Sequence, residues 1–440
     1  MSTGATFEDF KFNKQLLNAI SDLGFTNPTQ VQQEAIPKIM AGQDIQCIAQ
    51  TGTGKTAAYV LPLLMKVRYA QEMYPRVLII VPTRELAMQV KEQADLLSKY
   101  TDIRITAVYG GVGMKTQIEA IEKGIDILIA TPGRFIDLYL ANHIILKKIN
   151  TLVLDEADRL LDMAFMKQFG RILEIIPLKR QNLLFSATLS DKVLKLCENF
   201  LTFPVVIRIK PEQTTAQGIT QCVYYTPNLK VKTNLLEYFL KDKETFNKVI
   251  VFCKTKKTAN NIFKFIARKY GDDYVRVLHS NKDQNARINS IKNFKEGTVK
   301  VLVTTDVSAR GIDIQEVSHV INFDVPTNYE EYIHRIGRTG RAFQKGDSIT
   351  FYNDAEKYHI EKIEKLIKKQ IPEIEIPSEV EIEPTSFEEQ QIMDREIDYQ
   401  KRREDPNFQG AFHEKKNPVP TKKKNSSQRK RPSNNQRRRK

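Results

Sequence analysis

Short apolar runs recur along this chain, and each ends in a polar or glycine-rich turn followed by a helical pattern. A first series comprises Ile45–Ala49, Val77–Val81, Ile125–Ala130, Leu152–Leu154 and Leu183–Phe185. A second comprises Val249–Phe252, Val275–Leu278, Val299–Val303, Val320–Phe323 and Ile349–Tyr352. Continuous Val/Ile/Leu runs alternating with helices belong to parallel strands covered on both faces. Between the two series, Arg208–Thr220 (RIKPEQTTAQGIT) is polar, lacks an apolar repeat and reads as a linker. The expected class is α/β, with two tandem domains that each carry a parallel sheet flanked by helices. Their bounds are read as 1–207 and 219–370, joined by a linker at 208–218. An acidic to mixed-charge connector follows at 371–410, and a basic tail at 411–440. The run Phe10, Phe12, Leu16, Leu17, Ile20 and Leu23 reads as a packed helix face, and Glu373–Glu389 as a solvated connector.

Composition narrows the setting. With 440 residues, 41% of them hydrophobic, the chain has material for sizeable cores. No apolar run approaches the roughly 18–20 residues of a membrane span, and MSTGATFEDF lacks a basic region followed by an apolar stretch. The four cysteines (Cys47, Cys197, Cys222 and Cys253) are scattered, with no metal-ligand spacing. A reducing, cytoplasmic location is therefore expected. The net charge of +15 is concentrated at one end. Residues 411–440 hold twelve Lys/Arg against one acid, Glu414, and only Ala411, Phe412 and Val419 as apolar residues. Such a segment buries too little surface to offset its chain entropy, so it is expected to be disordered and to act as a polyanion-binding arm.

The strongest local signal is AQTGTGKT: Ala49, Gln50, Thr51, Gly52, Thr53, Gly54, Lys55 and Thr56. It follows a strand-like run and opens an amphipathic helix. Its glycines let backbone N–H groups face phosphate oxygens at a helix N-terminus. Lys55 is placed for β/γ-phosphates and Thr56 for Mg²⁺. Ala49 stands where the common pattern has its first glycine. A second signal, TLVLDEAD, is a buried strand ending in Asp155, Glu156 and Asp158. Carboxylates at the carboxyl end of a parallel strand lie in the crevice where such folds bind ligands. Asp155 suits Mg²⁺, largely through water, and Glu156 suits orienting or deprotonating an attacking water.

Together these residues resemble the DEAD-box family of ATP-dependent RNA helicases, over about Phe7 to Tyr352. The resemblance implies two RecA-like domains. It makes GFTNPTQVQ (Gly24–Gln32) the adenine-recognition motif, with Gln32 on the base, Phe25 beside it and Phe7 as the upstream aromatic. It assigns RNA contacts to Pro82, Thr83 and Arg84 of PTRELA, to Gly110 and Gly111, and to Thr131, Pro132, Gly133 and Arg134 of TPGR. Ser186, Ala187 and Thr188 become the element coupling hydrolysis to unwinding. In the second half it places Lys254, Thr255, Gln284, Arg287 and Thr304 on RNA, and Asp313 on the ATP ribose and phosphates. In HRIGRTGR (His334–Arg341), Arg338 and Arg341 become arginine fingers that reach the γ-phosphate, and His334 links the γ-phosphate side to the SAT element. The implied cofactors are ATP and Mg²⁺. The implied partner is RNA, bound largely without sequence preference, with ribosome-assembly, RNP or RNA-decay proteins as further partners of a monomer. The simple basic tail is similar to the bacterial RhlE-type branch. Two other readings share the motor: a DNA-directed helicase, which Gln32 and the intact DEAD and SAT elements argue against, and an ATP-locked RNA clamp, which multiple-turnover unwinding would distinguish.

The tail's charge yields a direct expectation. Each phosphate neutralised on a single strand contributes about −0.7 to the slope of log K against log salt. With about half of the twelve basic residues engaged, truncation after Gly410 is expected to reduce that slope by roughly 4. ATPase turnover at saturating RNA should stay within a few-fold. RNA titrations at several salt concentrations check this, and an unchanged slope would reduce the tail to a solubilising appendage.

Overall fold

A computed structural model describes residues 5–50, 52–70, 73–162, 166–189, 191–209, 219–279, 281, 284–309, 317–339, 346–405 and 408. Thr51, Asp313, Arg341 and the tail at 411–440 therefore lie outside the described residues, as does most of the stretch read as a linker. The first sheet has seven parallel strands: β1 (Ile45–Ile48), β2 (Val77–Ile80), β3 (Ile105–Val108), β4 (Ile127–Ala130), β5 (Thr151–Leu154), β6 (Gln181–Ser186) and β7 (Val205–Arg208). Their order is β3-β4-β2-β5-β6-β1-β7. The second has six: β8 (Ile219–Tyr225), β9 (Val249–Phe252), β10 (Val275–Leu278), β11 (Val301–Thr304), β12 (His319–Asn322) and β13 (Gly346–Tyr352). These run β10-β11-β9-β12-β13-β8. Period-2 alternation divides the apolar side chains between the faces. Val77 and Ile79 join Ile45, Cys47 and the helix Lys55–Val67 in one core, while Leu78 and Ile80 join Leu152, Leu154 and Phe135 in the other.

The two edge strands of the first sheet escaped the sequence reading. β3 (ITAV) and β7 (VVIR) are only half buried, so they lack the continuous apolar signature of the central strands. Because β7 includes Arg208 and the Ile209 amide bonds to the Ile48 carbonyl at 3.0 Å, the sheet extends into the stretch read as linker.

The connector also needs correction. Contacts group residues 1–383 into one compact unit and Pro384 onward into another. Within the first unit, the amide of Val223 donates to Pro372 O, and Ile374 N donates back to Val223 O. Ile371, Ile376 and Val380 pack into the second sheet's cores, and Asn228 Nδ2 donates to Glu383 O at 2.7 Å. Apolar residues spaced among the acids let this segment cover the open edge of β8, which a solvated connector would leave unpaired. The second unit carries a helix, Phe387–Glu404, capped by Ser386 Oγ accepting from Glu389 N.

One buried carboxylate pins the strand starts of the first sheet. Asp44 Oδ1 accepts from Asn182 N at 2.8 Å, while Oδ2 accepts from Thr202 N at 2.9 Å and Asn182 Nδ2 at 3.3 Å. Removing the acceptors strands buried donors at about 1–3 kcal/mol each. Asp44→Ala is thus expected to destabilise the fold by about 2–4 kcal/mol and Asp44→Asn by less, as read from urea unfolding followed by circular dichroism.

Candidate active site

The loop after β1 is braced from several sides. Ala49 N donates to Ser186 O at 3.0 Å, Thr53 Oγ1 to Gln50 O at 2.8 Å, and the buried Lys55 Nζ to Ala49 O at 2.6 Å. Gly54, at φ 91°, is the N-cap of the helix Lys55–Val67. A Cβ there would overlap the Gln32 amide, so the position demands glycine for both conformation and space. Gln32 itself caps its own helix, with Oε1 accepting from Thr29 N at 3.0 Å, and donates Nε2 to Gly54 O at 3.2 Å. A primary amide has two donors and two lone pairs, so one of each remains for a further partner. Phe25 is half-buried, and Phe7 stacks against it from the core side at 6.4 Å between centroids.

Asp155 is fully buried at the end of β5. Its Oδ2 accepts from Tyr59 OH at 2.9 Å and its Oδ1 from Glu156 N at 2.9 Å. Burial pushes its carboxyl up to about 6, against the pull of the Lys55 charge and with a contribution from Glu156. Burial also raises the Tyr59 phenol well above its ordinary value, so it stays a donor. Glu156 has φ 52°, the left-handed region that non-glycine residues seldom occupy, and its Oε2 accepts from Arg159 Nη1 at 2.6 Å. Asp158 ties this strand end to the SAT element. Its Oδ2 accepts from Thr188 N and Thr188 Oγ1, each at 3.0 Å, while Ser186 Oγ accepts from Asp158 N at 3.3 Å. Ala187 lies between these two partners in the chain.

The helix Tyr329–Ile336 brings the second sheet's residues to the same place. A cavity lined by Arg159, Asp306, Glu331, His334, Arg335 and Arg338 joins the DEAD end to this helix. Of the three arginines in the HRIGRTGR run, Arg335 is neutralised by a two-pronged pair with Asp306, at 2.5 and 2.8 Å. Arg338 reaches the cavity. Burial, and then the Arg159 charge, lowers His334 to about 4, so its imidazole is neutral at pH 7.

A second cluster forms beside the first. The Arg84 guanidinium lies over Gly110 and Gly111, and a Cβ on Gly111 would overlap it. Burial holds Arg84 below its usual value; Glu85 opposes this, while Arg287 and Arg134 add to it. Arg287, from the second half, pairs with Glu85 at 2.7 Å. Arg134 Nη2 donates to Val112 O at 2.9 Å, but Arg134 Nε and Nη1 and Arg287 Nε are buried without a partner among the described residues. Thr131 and Pro132 begin the helix that carries Gly133 and Arg134, and Thr83, after the buried Pro82, caps the helix of Arg84. Lys254 N donates to Asp324 Oδ2 at 2.7 Å, and Thr255 caps the next helix. Gln284 opens the helix that carries Arg287. Thr304 closes β11. It is fully enclosed and its hydroxyl donates to Leu278 O at 3.2 Å, so its side chain faces the sheet.

Comparison with known proteins meets this geometry. The DEAD/DEAH box helicase family matches residues 29–196, and the helicase conserved C-terminal domain matches 231–343. The DEAD-box ATP-dependent RNA helicase RhpA of Helicobacter pylori (strain ATCC 700392 / 26695) is 40% identical, over 85% of this chain and 75% of its own. This chain belongs to the DEAD-box family of ATP-dependent RNA helicases. Helicase 14 of Arabidopsis thaliana is 38% identical over 82% of this chain, which spans 59% of that relative's length. The structure of S. cerevisiae Dbp5 bound to RNA and ADP BeF3 superposes with TM-score 0.75 at 29% identity, covering 89% of this chain and 99% of that one. The two parallel sheets are thus the tandem RecA-like domains of the family.

The family's cofactors are ATP and Mg²⁺, and the donor set here fits the ion. Thr56 and Asp155 offer oxygen ligands, and Mg²⁺ takes few protein ligands while keeping water and phosphate oxygens. A cation beside Asp155 would offset the burial that raises its carboxyl. Among the described residues no group of three or more His, Cys, Asp and Glu forms a denser metal site. Sequence reasoning missed Tyr59, Arg159 and the Glu85–Arg287 pair. Tyr59 stands one helical turn after Lys55, a spacing that already put it on the phosphate-facing side. The other two needed the tertiary structure.

His334 yields a pH expectation. Its pKa is about 4 when folded against 6.5 ordinarily, so the unfolded chain binds more protons between these values. Its contribution to stability is present above about 6.5 and is lost as pH falls toward 4. The raised Asp155 acts in the opposite sense, so the difference from a variant isolates the histidine. His334→Gln should flatten the acid-side fall of Tm relative to the unmodified protein, measured by melting curves between pH 7 and 4.

Proposed function

We propose that this protein is a monomeric, cytoplasmic RNA-stimulated ATPase that melts short duplexes or remodels RNA–protein complexes, with residues 1–207 and 219–370 as its two moving domains. The observation that carries this reading is the meeting of Arg84, Arg134 and Arg287. They come from both halves, and among the described residues Arg134 Nε and Nη1 and Arg287 Nε are buried with no acceptor. Such a cluster suits a phosphate backbone held at the join. Contacts to phosphates and 2′-hydroxyls, through Gly110, Gly111, Thr131–Arg134, Lys254 and Thr255 as well, carry little sequence information.

In the nucleotide site, Lys55 holds the β/γ-phosphates, Gln32 and Phe25 take the adenine, and Glu156 orients the attacking water. Arg338 and Arg341 stabilise charge from the second half. Thr56 and Asp155 would hold Mg²⁺, which would supply charge neutralisation at the phosphates. Ser186, Thr188 and His334 transmit the state of this site to the RNA side. ATP and RNA favour the same closed arrangement, so each tightens the other's binding, and hydrolysis releases both. Ribosome assembly and RNA decay are processes that a sequence-blind motor of this kind would serve.

Comparing ATPase stimulation by an RNA oligomer with that by single-stranded DNA of the same sequence, alongside multiple-turnover unwinding of a short RNA duplex, tests the reading. RNA-selective stimulation with turnover is expected. Equal stimulation by DNA would favour the DNA-directed motor, and binding without turnover the clamp. Glu156→Gln should slow hydrolysis by about two to four orders of magnitude with ATP still bound, and Arg338→Ala by about 10³-fold.

A further inference from the structure

The Glu156 carboxylate is not left to find its own orientation. Its backbone sits at φ 52°, and its Oε2 accepts from Arg159 Nη1 at 2.6 Å, with both side chains 8% exposed. Arg159 is itself fixed at the start of its helix, where its amide bonds to Asp158 Oδ1 at 3.0 Å and to Glu156 O at 3.0 Å. On its far side it lines the cavity with Glu331, His334 and Arg338 of the second half. One guanidinium therefore touches the carboxylate on one side and walls the join between the halves on the other.

We propose that Arg159 is a positioning residue for ATP hydrolysis: it holds one oxygen of Glu156 and thereby aims the other at the attacking water once the second half has packed against it. A charged pair shielded from solvent keeps one geometry, whereas an exposed pair is screened and exchanges partners. Closure by the helix Tyr329–Ile336 supplies that shielding. Arg159 is thus the route by which closure on RNA reaches the water-orienting carboxylate. The inference rests on the reading of Glu156 given above.

A double-mutant cycle decides it. Arg159→Ala should lower RNA-stimulated kcat by about 10- to 100-fold, the scale of a misplaced catalytic group. KM for ATP should stay within about 3-fold, and Arg159→Lys should recover part of the rate. In a Glu156→Gln background the same Arg159→Ala change should alter the residual single-turnover rate by less than about 3-fold, because the two residues act as a unit. An equal loss in both backgrounds, an undiminished kcat, or a rise in KM alone would overturn the proposal. Melting temperatures of the Lys and Ala variants separate misfolding from mispositioning. A Glu156→Gln variant that hydrolyses ATP at the unmodified rate would overturn the role of Glu156 itself, an outcome that this single variant reveals by itself.

Discussion

Parallel hydrogen bonding of β6 between β1 and β5 is the constraint on which the rest of the site depends. Side-by-side parallel strands present their carboxyl ends along one edge. The phosphate-type loop after β1, the SAT turn after β6 and the DEAD turn after β5 therefore become neighbours, although more than a hundred residues separate the first from the last. Direct bonds follow from that adjacency: Ala49 N to Ser186 O, and Asp158 to Thr188. The nucleotide loop and the SAT turn are thus joined by a backbone bond rather than by a mobile side chain.

Charge accounts for the rest of the site. The end of β5 buries Asp155 and Glu156 and half-buries Asp158, and these carboxylates must meet cations, dipoles or protons to be tolerated. Lys55, Tyr59, Arg159 and the Thr188 amide meet that need locally, and the second half adds Arg338. Arg335 faces the reverse problem and takes Asp306 as its counter-charge. Beside these neutralised pairs, Arg134 and Arg287 stand out for buried N–H groups that no acceptor among the described residues meets.

Central strands were legible because burial on both faces demands uninterrupted apolar residues. The edge strands β3 and β7 carry no such demand and were not legible, and neither was the return of Ile371–Val380 onto the open edge of β8. Among the site residues, Asp155 could be placed because it follows β5 directly, and Lys55 because it opens the helix after the β1 loop, so local geometry alone puts them at the edge. Thr304 is still the last residue of β11, and its side chain turns inward, since alternation along a strand decides facing and a motif does not.

From residue order alone came the two α/β halves, the phosphate loop, the strand-end acids, the arginine-rich run and the resemblance that they support. Each of these is written in local spacing: glycines at a turn, a lysine opening a helix, carboxylates closing a strand. Strand order, by contrast, depends on which runs pair, and no local pattern encodes that. The tertiary structure alone therefore set Asp158 against Thr188, Arg287 against Glu85, Gln32 against the Gly54 carbonyl, and Arg159 between Glu156 and the helix of the second half. These are contacts between residues distant in sequence or aimed by packing, and only long-range burial and hydrogen bonding choose them.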